Sequence, residues 1–227
     1  LIVEDISSIY VNKKNDKHLA LSHISFSVSS NDFLTIVGPT GCGKTTLLKC
    51  IAGFQDFSGK ILIDGVDIEQ IPVPKRNIAY ITQTPGLYPK MTIFYNIAFS
   101  LKINKTPYEE INRRVNEIAE ELGITHLLSR KPKHLSLGQQ QRVCIAKAII
   151  RRADLYLFDE PFSALDEKGK NELGLLLKIL SDKMDTPFIY VTHNQQEAIR
   201  LGNKMMVMNE SKIIQIEKEM RNFLFRI

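Results

Sequence analysis

The sequence predicts an α/β fold built on a mostly parallel sheet crossed by helices. Three short apolar runs, Phe33–Val37, Leu155–Phe158 and Phe188–Val191, have the length of strands buried on both faces. Stretches of helical period, over 138–151 and 167–181, separate the later runs. Strand and helix in alternation imply parallel strands joined by crossover helices.

Taken in order, the opening third reads as strands. Residues 2–11 are rich in Ile, Val and Tyr, and Ile24, Phe26 and Val28 alternate with serines, the pattern of a half-buried strand. A glycine loop and a helix-forming stretch follow Val37. Ile61-Leu62-Ile63 then runs into Asp64-Gly65, a strand ending in a tight turn. In the middle, Thr106-Pro107-Tyr108-Glu109 has a capping-box pattern with Pro at the first helical position. Tyr108, Ile111, Val115, Ile118, Ala119 and Leu122 fall on one face of that helix. Glu110, Arg113, Arg114, Glu117 and Glu121 fall on the other, and Gly123 stops it. Helix 167–181 turns Leu173, Leu176, Leu177 and Leu180 inward, and another helix follows Val191. Residues 205–208 and 213–216 read as a hairpin turning near Asn209-Glu210-Ser211, followed by a short amphipathic tail over 217–226.

With 227 residues, 44% of them hydrophobic, the chain suits one domain with subdomains and a large core. No apolar run reaches the roughly 18–20 residues of a membrane-spanning helix, and mean hydropathy is −0.10. The start has no signal-peptide pattern and no initiator Met, which points to residues upstream. Three scattered cysteines, Cys42, Cys50 and Cys144, argue against a disulfide framework and for a reducing compartment. The net charge is +5. Basic and acidic residues are interspersed, without a long basic block, which counts against a nucleic-acid partner.

Gly38-Pro39-Thr40-Gly41-Cys42-Gly43-Lys44-Thr45 fits G-x-x-x-x-G-K-[ST], with a buried strand before it and a helical run after it. Glycines let successive N–H groups curl inward around an anion, and the helix start adds free N–H groups and a positive dipole end. Lys44 is placed to reach the β- and γ-phosphates, and the Thr45 hydroxyl to ligate Mg²⁺. Cys42 reads as a tolerated loop residue. The strand Leu155–Phe158 ends in Asp159-Glu160. Asp159 can hold Mg²⁺, directly or through water, and Glu160 can orient or polarise an attacking water. A GTPase would normally carry N-K-x-D; Asn12-Lys13, Asn104-Lys105 and Asn203-Lys204 all lack the Asp.

Leu135-Ser136-Leu137-Gly138-Gln139-Gln140-Gln141-Arg142, ahead of a helix and upstream of Asp159, resembles the L-S-G-G-Q signature of the ATP-binding cassette family. The resemblance covers nearly the whole chain, with several motifs in the family's order. It implies a P-loop (RecA-like) core over about 1–83 and 152–227 with an N-terminal antiparallel β subdomain, and a helical subdomain over 84–151. It also implies roles. Tyr10 stacks on adenine; Gln83 is the glutamine loop, sensing γ-phosphate or metal; Ser163-Ala164-Leu165-Asp166 is the D-loop; His193 is the switch histidine. The loop from Gly38 to Thr45, with Thr46, holds ATP from one subunit, and Ser136, Gly138 and Gln139 hold it from the other, with Asp166 at the junction. Each also has a plainer reading: Tyr10 as a packing residue, Gln83 as a solvated turn, His193 as part of a helix cap with Asn194, Ser136 and Gly138 as an ordinary helix start. Leu137 departs from the signature's usual glycine and cannot easily take a positive φ.

The resemblance further implies a head-to-tail pair, with a second copy or a homologous ATPase subunit, closing on two Mg²⁺-bound ATP molecules. The pair drives separate transmembrane permease subunits at the cytoplasmic face of the membrane, as a peripheral subunit served by an extracytoplasmic solute-binding protein. Gly86–Ile93 with Asn96-Ile97, Gln139-Gln140-Gln141-Arg142 and Thr192–Ala198 look like importers of sugars, polyamines, iron or oxyanions, with Leu87-Tyr88-Pro89 leaning to sugars. Such importers often carry a further C-terminal regulatory β domain; the expectation is that this chain has none, either lacking it or having been shortened. The rival readings are an exporter subunit, a soluble cassette ATPase acting on nucleic acid or ribosomes, and a metabolic kinase.

Overall fold

Two sheets organise the chain in a computed structural model that describes residues 1–11 and 17–217. The first has four antiparallel strands in the order β2-β1-β4-β5: β1 (Ile2–Val11), β2 (Lys17–Ser27), β4 (Ser58–Ile63) and β5 (Val66–Asp67). The Asp64-Gly65 turn forms as expected, with both residues at positive φ, 50° and 79°. The second sheet has the order β10-β9-β3-β8-β7-β6. Its members are β3 (Phe33–Val37), β6 (Ile78–Ile81), β7 (Leu155–Asp159), β8 (Phe188–Thr192), β9 (Lys204–Asn209) and β10 (Lys212–Glu217). All neighbours are parallel except the β9–β10 hairpin. That hairpin turns on Glu210 and Ser211, both at positive φ.

Every residue of β3, β7 and β8 is buried because successive side chains enter two different cores. On one face Phe33, Tyr156, Phe158, Phe188 and Tyr190 pack beneath helices. These are α2 (Ile93–Ile103), α3 (Tyr108–Glu121), α4 (Leu137–Ile149) and α5 (Glu167–Asp182). The rings of Phe33 and Tyr156 stack on Phe188 with centroids 5.5 Å and 4.7 Å away. On the other face Leu34, Ile36, Leu157, Ile189 and Val191 meet α1 (Lys44–Ala52) and the inner residues Val3, Ile6, Leu21 and Ile24 of the antiparallel sheet. A last helix, α6 (Gln195–Leu201), follows β8. Among the described residues no helix is long and apolar enough to cross a membrane.

The capping box expected at Thr106–Glu109 does not form. Pro107 is extended (ψ 145°) and is itself the residue before the helix, with no side-chain cap. The Thr106 N–H, which a capping glutamate would have to reach, donates instead to the Leu101 carbonyl at 3.0 Å and closes the end of α2. Tyr108, expected inward, is 66% exposed, while Ile111, Val115, Ile118, Ala119 and Leu122 are buried. Gly123 ends α3 at φ 65°, as its position suggested. No amphipathic pattern marks α2, because this helix is apolar nearly all round: Ile93, Ile97 and Leu101 are buried, and Tyr95 and Ile103 are exposed. The tail expected over 217–226 lies, beyond Glu217, outside the described residues, as does Asn12-Lys13.

Candidate functional site

The predicted phosphate-loop, acidic and histidine residues meet at the carboxyl ends of β3, β7 and β8, where open parallel sheets bind ligands. The loop 38–43 leaves β3 and enters α1. Gly41 and Gly43 sit at φ 86° and 104°, in the left-handed region. A Cβ on Gly43 would lie 2.4 Å from the Ala20 carbonyl oxygen, and one on Gly38 would lie 2.1 Å from that of Met208. The loop is thus clamped between β2 and β9, with Thr40 and Gly41 outward and exposed. Gly43 precedes α1 with no side-chain cap, so the first-turn amides of Lys44, Thr45 and Thr46 face the loop without intrahelical acceptors. Such an N-terminus is an anion site. Lys44 is 5% exposed, and its Nζ donates to the carbonyls of Gly38 (2.7 Å) and Pro39 (2.9 Å), spanning the loop. Cys42 is buried, with its Sγ 3.9 Å from Lys44 Nζ.

Asp159 ends β7 with both oxygens engaged. Thr45 Oγ1 donates to Oδ1 at 2.8 Å, and the Tyr80 hydroxyl, from β6, donates to Oδ2 at 2.9 Å. Burial, then the charge of Asp159, pushes the Tyr80 hydroxyl well above the usual phenol range, so it remains a donor. Glu160 takes φ 47°, uncommon outside glycine, and costs about 1–2 kcal/mol of backbone strain. Its N–H is fixed on the Val191 carbonyl at 3.0 Å and its own carbonyl accepts from Ser163 Oγ at 3.0 Å. This backbone turn aims the carboxylate at His193, whose Nδ1 lies 2.9 Å from Glu160 Oε2.

The donor set fits Mg²⁺. A hydroxyl and a carboxylate stand together at the helix start, hard oxygens of the type this ion takes. Among the described residues no cluster of three or more His, Cys, Asp or Glu offers a dedicated metal cage. One protein carboxylate plus phosphate oxygens is the usual Mg²⁺ arrangement at phosphate sites.

The other predicted residues lie around this centre. Gln83 is exposed two residues past β6; its carbonyl accepts from Gln141 Nε2 at 3.1 Å, and among the described contacts its side chain makes none to Asp159 or Glu160. Ser136 caps α4 in a reciprocal capping box with Gln139. Leu137 occupies the first helical position, is not among the residues at positive φ, and is 37% exposed. Position 137 therefore has no need of a glycine's freedom. A Cβ on Gly138 would meet Leu165 at 3.9 Å, so the start of α4 lies against the segment before α5 of its own chain. Asp166 is the exposed N-cap of α5, with Oδ1 accepting from the Gly169 N–H at 2.9 Å. Tyr10 is 49% exposed at the end of β1, its ring stacked on His18 with centroids 5.4 Å apart.

Two contributors escaped the sequence reading. Tyr80 carries no motif and reaches Asp159 across 79 residues. Glu197, 5% exposed, accepts from the Tyr190 hydroxyl at 2.8 Å and from Thr192 Oγ1 at 2.5 Å. Asn194 N–H donates to Thr192 Oγ1, and Asn194 Oδ1 accepts from the Glu197 N–H. This network grips the segment bearing His193 from below; its one sequence signal is an acid four residues after that histidine.

A sequence profile of the ABC transporter family matches residues 21–163. The chain belongs to this family. Curated ABC relatives include the molybdate/tungstate import ATP-binding protein WtpC of Pyrococcus horikoshii, 44% identical over 95% of this chain and 61% of the relative. The spermidine/putrescine import ATP-binding protein PotA of Thermotoga maritima is 42% identical over 95% of this chain and 59% of the relative. The sn-glycerol-3-phosphate import ATP-binding protein UgpC of Psychromonas ingrahamii is 41% identical over 95% and 57%. The chain therefore spans about 60% of the length of these relatives. Among solved structures, the dimeric post-hydrolysis state of the ATP-binding cassette MJ0796 bound to ADP and Pi superposes with a TM-score of 0.83 at 25% identity, over 96% of this chain and 97% of that one. A second dimeric structure of MJ0796, described as a bacterial ABC transporter cassette, gives 0.83 at 26%. The α/β cassette architecture expected from the sequence is the one observed, with its antiparallel sheet and its helices.

Proposed function

We propose that this chain is the ATP-hydrolysing subunit of an ABC importer, working as a pair on separate membrane subunits at the cytoplasmic face. The observation that carries the reading is the meeting of Lys44, Thr45, Asp159, Glu160 and His193 at one end of the parallel sheet. The loop amides and Lys44 bind the phosphates. The Lys44 ammonium exchanges the Gly38 and Pro39 carbonyls for phosphate oxygens, a stronger charge-assisted contact. Thr45 and Asp159 would hold Mg²⁺, which neutralises phosphate charge when bound. Glu160 orients the attacking water, and His193 holds Glu160 from Nδ1 and presents its other ring nitrogen to the reacting phosphate. Gln83 stands at the edge of the helical part, placed to report the γ-phosphate to it.

Ser136 at an exposed helix start is a second anion site, and its described partners lie within its own cap. This supports pairing in which each signature, with Gly138, Gln139 and the partner's Asp166 beside it, completes the other copy's site. Tyr10, exposed at the end of β1 beside β2, is the adenine platform. The import ATP-binding names of the relatives favour import over export or action on nucleic acid. Relatives named for oxyanions, polyamines and glycerol phosphate share nearly equal identity with this chain. Cargo choice therefore belongs to the permease and solute-binding subunits.

Phosphate release and fluorescent-nucleotide binding test the reading together. Glu160→Gln is expected to retain nucleotide affinity and lose about 10²–10⁴-fold in turnover, the worth of a positioned base. Lys44→Ala is expected to lose most affinity. Full turnover in Glu160→Gln, or unchanged affinity in Lys44→Ala, contradicts it.

A further inference from the structure

Asp159 is the single carboxylate of the proposed metal site, and its geometry is set from two sides. Thr45, on one side, is itself a proposed ligand, so its hydroxyl serves two purposes. The other hold is the Tyr80 hydroxyl on Oδ2 at 2.9 Å, which no motif predicts.

Tyr80 is built for that task. It lies on β6, whose register against β7 pairs it with Leu157, two residues short of Asp159 on the same face. The phenol spans that step along the strand direction. Its ring meets Phe54, just beyond α1, edge-on with centroids 5.7 Å apart. Tyr80 thus touches the metal carboxylate at its hydroxyl and packs its ring on the α1 side of the sheet. It also lies three residues before Gln83 on a continuous stretch of chain.

We infer that Tyr80 is a positioning residue for Asp159, fixing the orientation of the carboxylate that takes Mg²⁺. The inference rests on the nucleotide-site reading above. Its physical basis is that a donor on the outer oxygen of a ligating carboxylate fixes its orientation; losing such a partner typically costs about 10–100-fold in metal affinity or activity. Removing the hydroxyl leaves Oδ2 without its protein donor and the carboxylate free to rotate about the Thr45 contact.

The test is Tyr80→Phe, which keeps the ring and removes one oxygen. Binding of a fluorescent ATP analogue is titrated with Mg²⁺ by anisotropy, without turnover, and the Mg²⁺ midpoint is read. We expect the midpoint to rise about tenfold, at the low end for such a partner, while nucleotide affinity in EDTA stays within about twofold of the parent. Phe54→Leu, which loosens the ring packing and keeps the hydroxyl, is expected to leave the midpoint in place. An unchanged midpoint in Tyr80→Phe overturns the role while leaving the nucleotide reading intact. An equal rise in Phe54→Leu assigns the effect to packing and overturns it too. A parent chain that binds no nucleotide overturns the reading beneath it, and the role with it.

Discussion

Gly41 and Gly43 occupy the same loop at similar left-handed φ values, 86° and 104°, yet for different reasons. Nothing lies within 4 Å of a Cβ built on Gly41, whereas one on Gly43 meets the Ala20 carbonyl oxygen at 2.4 Å. Gly41→Ala carries only left-handed strain, about 1–2 kcal/mol. Gly43→Ala carries that strain and must also push β2 aside, so we expect it to be the more destabilising of the two, by at least about 1 kcal/mol. Urea unfolding of the two variants measures the order, and equal midpoints would refute the clamp. The cysteines give a second check. Burial pushes the Cys50 and Cys144 thiols up to about 11, so at about pH 8 both are protonated and inert. Iodoacetamide should leave them unlabelled in the folded chain and label them in denaturant; labelling of Cys144 in the folded state would contradict its burial. What the sequence disclosed at this scale was local. Lys44 and Thr45 were legible because the loop that makes them useful is contiguous, and Asp159-Glu160 because they end a strand. Tyr80 was not, since its value lies in a contact made by folding and in no spacing along the chain, and Glu197 left only its place four residues after His193.

The helix α4 acts at both ends. Its start presents Ser136, and farther along Gln141 and Lys147 hold the segment after β6. Gln141, 1% exposed, donates to the Gln83 carbonyl. Lys147 Nζ donates to the Gly86 carbonyl at 2.8 Å and sits 4.1 Å from the centre of the Tyr88 ring; burial lowers its pKa. The segment bearing Gln83 is thereby fastened to the helix bearing the signature. Gln141→Ala removes a buried donor, and we expect it to cost about 1–3 kcal/mol locally. Hydrogen exchange should read this as faster exchange across 83–88 with the β3–β8 amides unchanged; unaltered exchange there would refute the tie. This element was half legible. The helical pattern over 138–151 located α4, and its start at Leu137 resolved the difficulty over that residue, because a first helical position suits leucine. The capping-box pattern at Thr106 misled, because a neighbouring helix end had already taken the N–H that the box requires. Local patterns cannot report such competition.

For the whole molecule, one sheet divides two cores, and its strands bring the phosphate loop, Asp159, Glu160 and His193 to a single edge. Alternation along Phe33–Val37 and Phe188–Thr192 sends aromatic residues to the helical side and aliphatic ones toward α1 and the antiparallel sheet. The parallel core was legible because apolar runs and helical stretches alternate along the chain. The separation into two cores was not, since a fully apolar strand does not reveal which side chains face which way. The same architecture places the loop 38–43 and Ser136 at the starts of two different helices, α1 and α4, within one chain. That arrangement is the physical ground for the central claim, that two copies close around shared ATP. The most direct measurement is the mass of Glu160→Gln by sedimentation velocity with saturating ATP and Mg²⁺, with and without the added Ser136→Glu substitution. The account predicts twice the 25.9 kDa of the chain for Glu160→Gln, and a return to the single-chain mass when Ser136→Glu places a like charge against phosphate. A single-chain mass for Glu160→Gln at nucleotide saturation would contradict it.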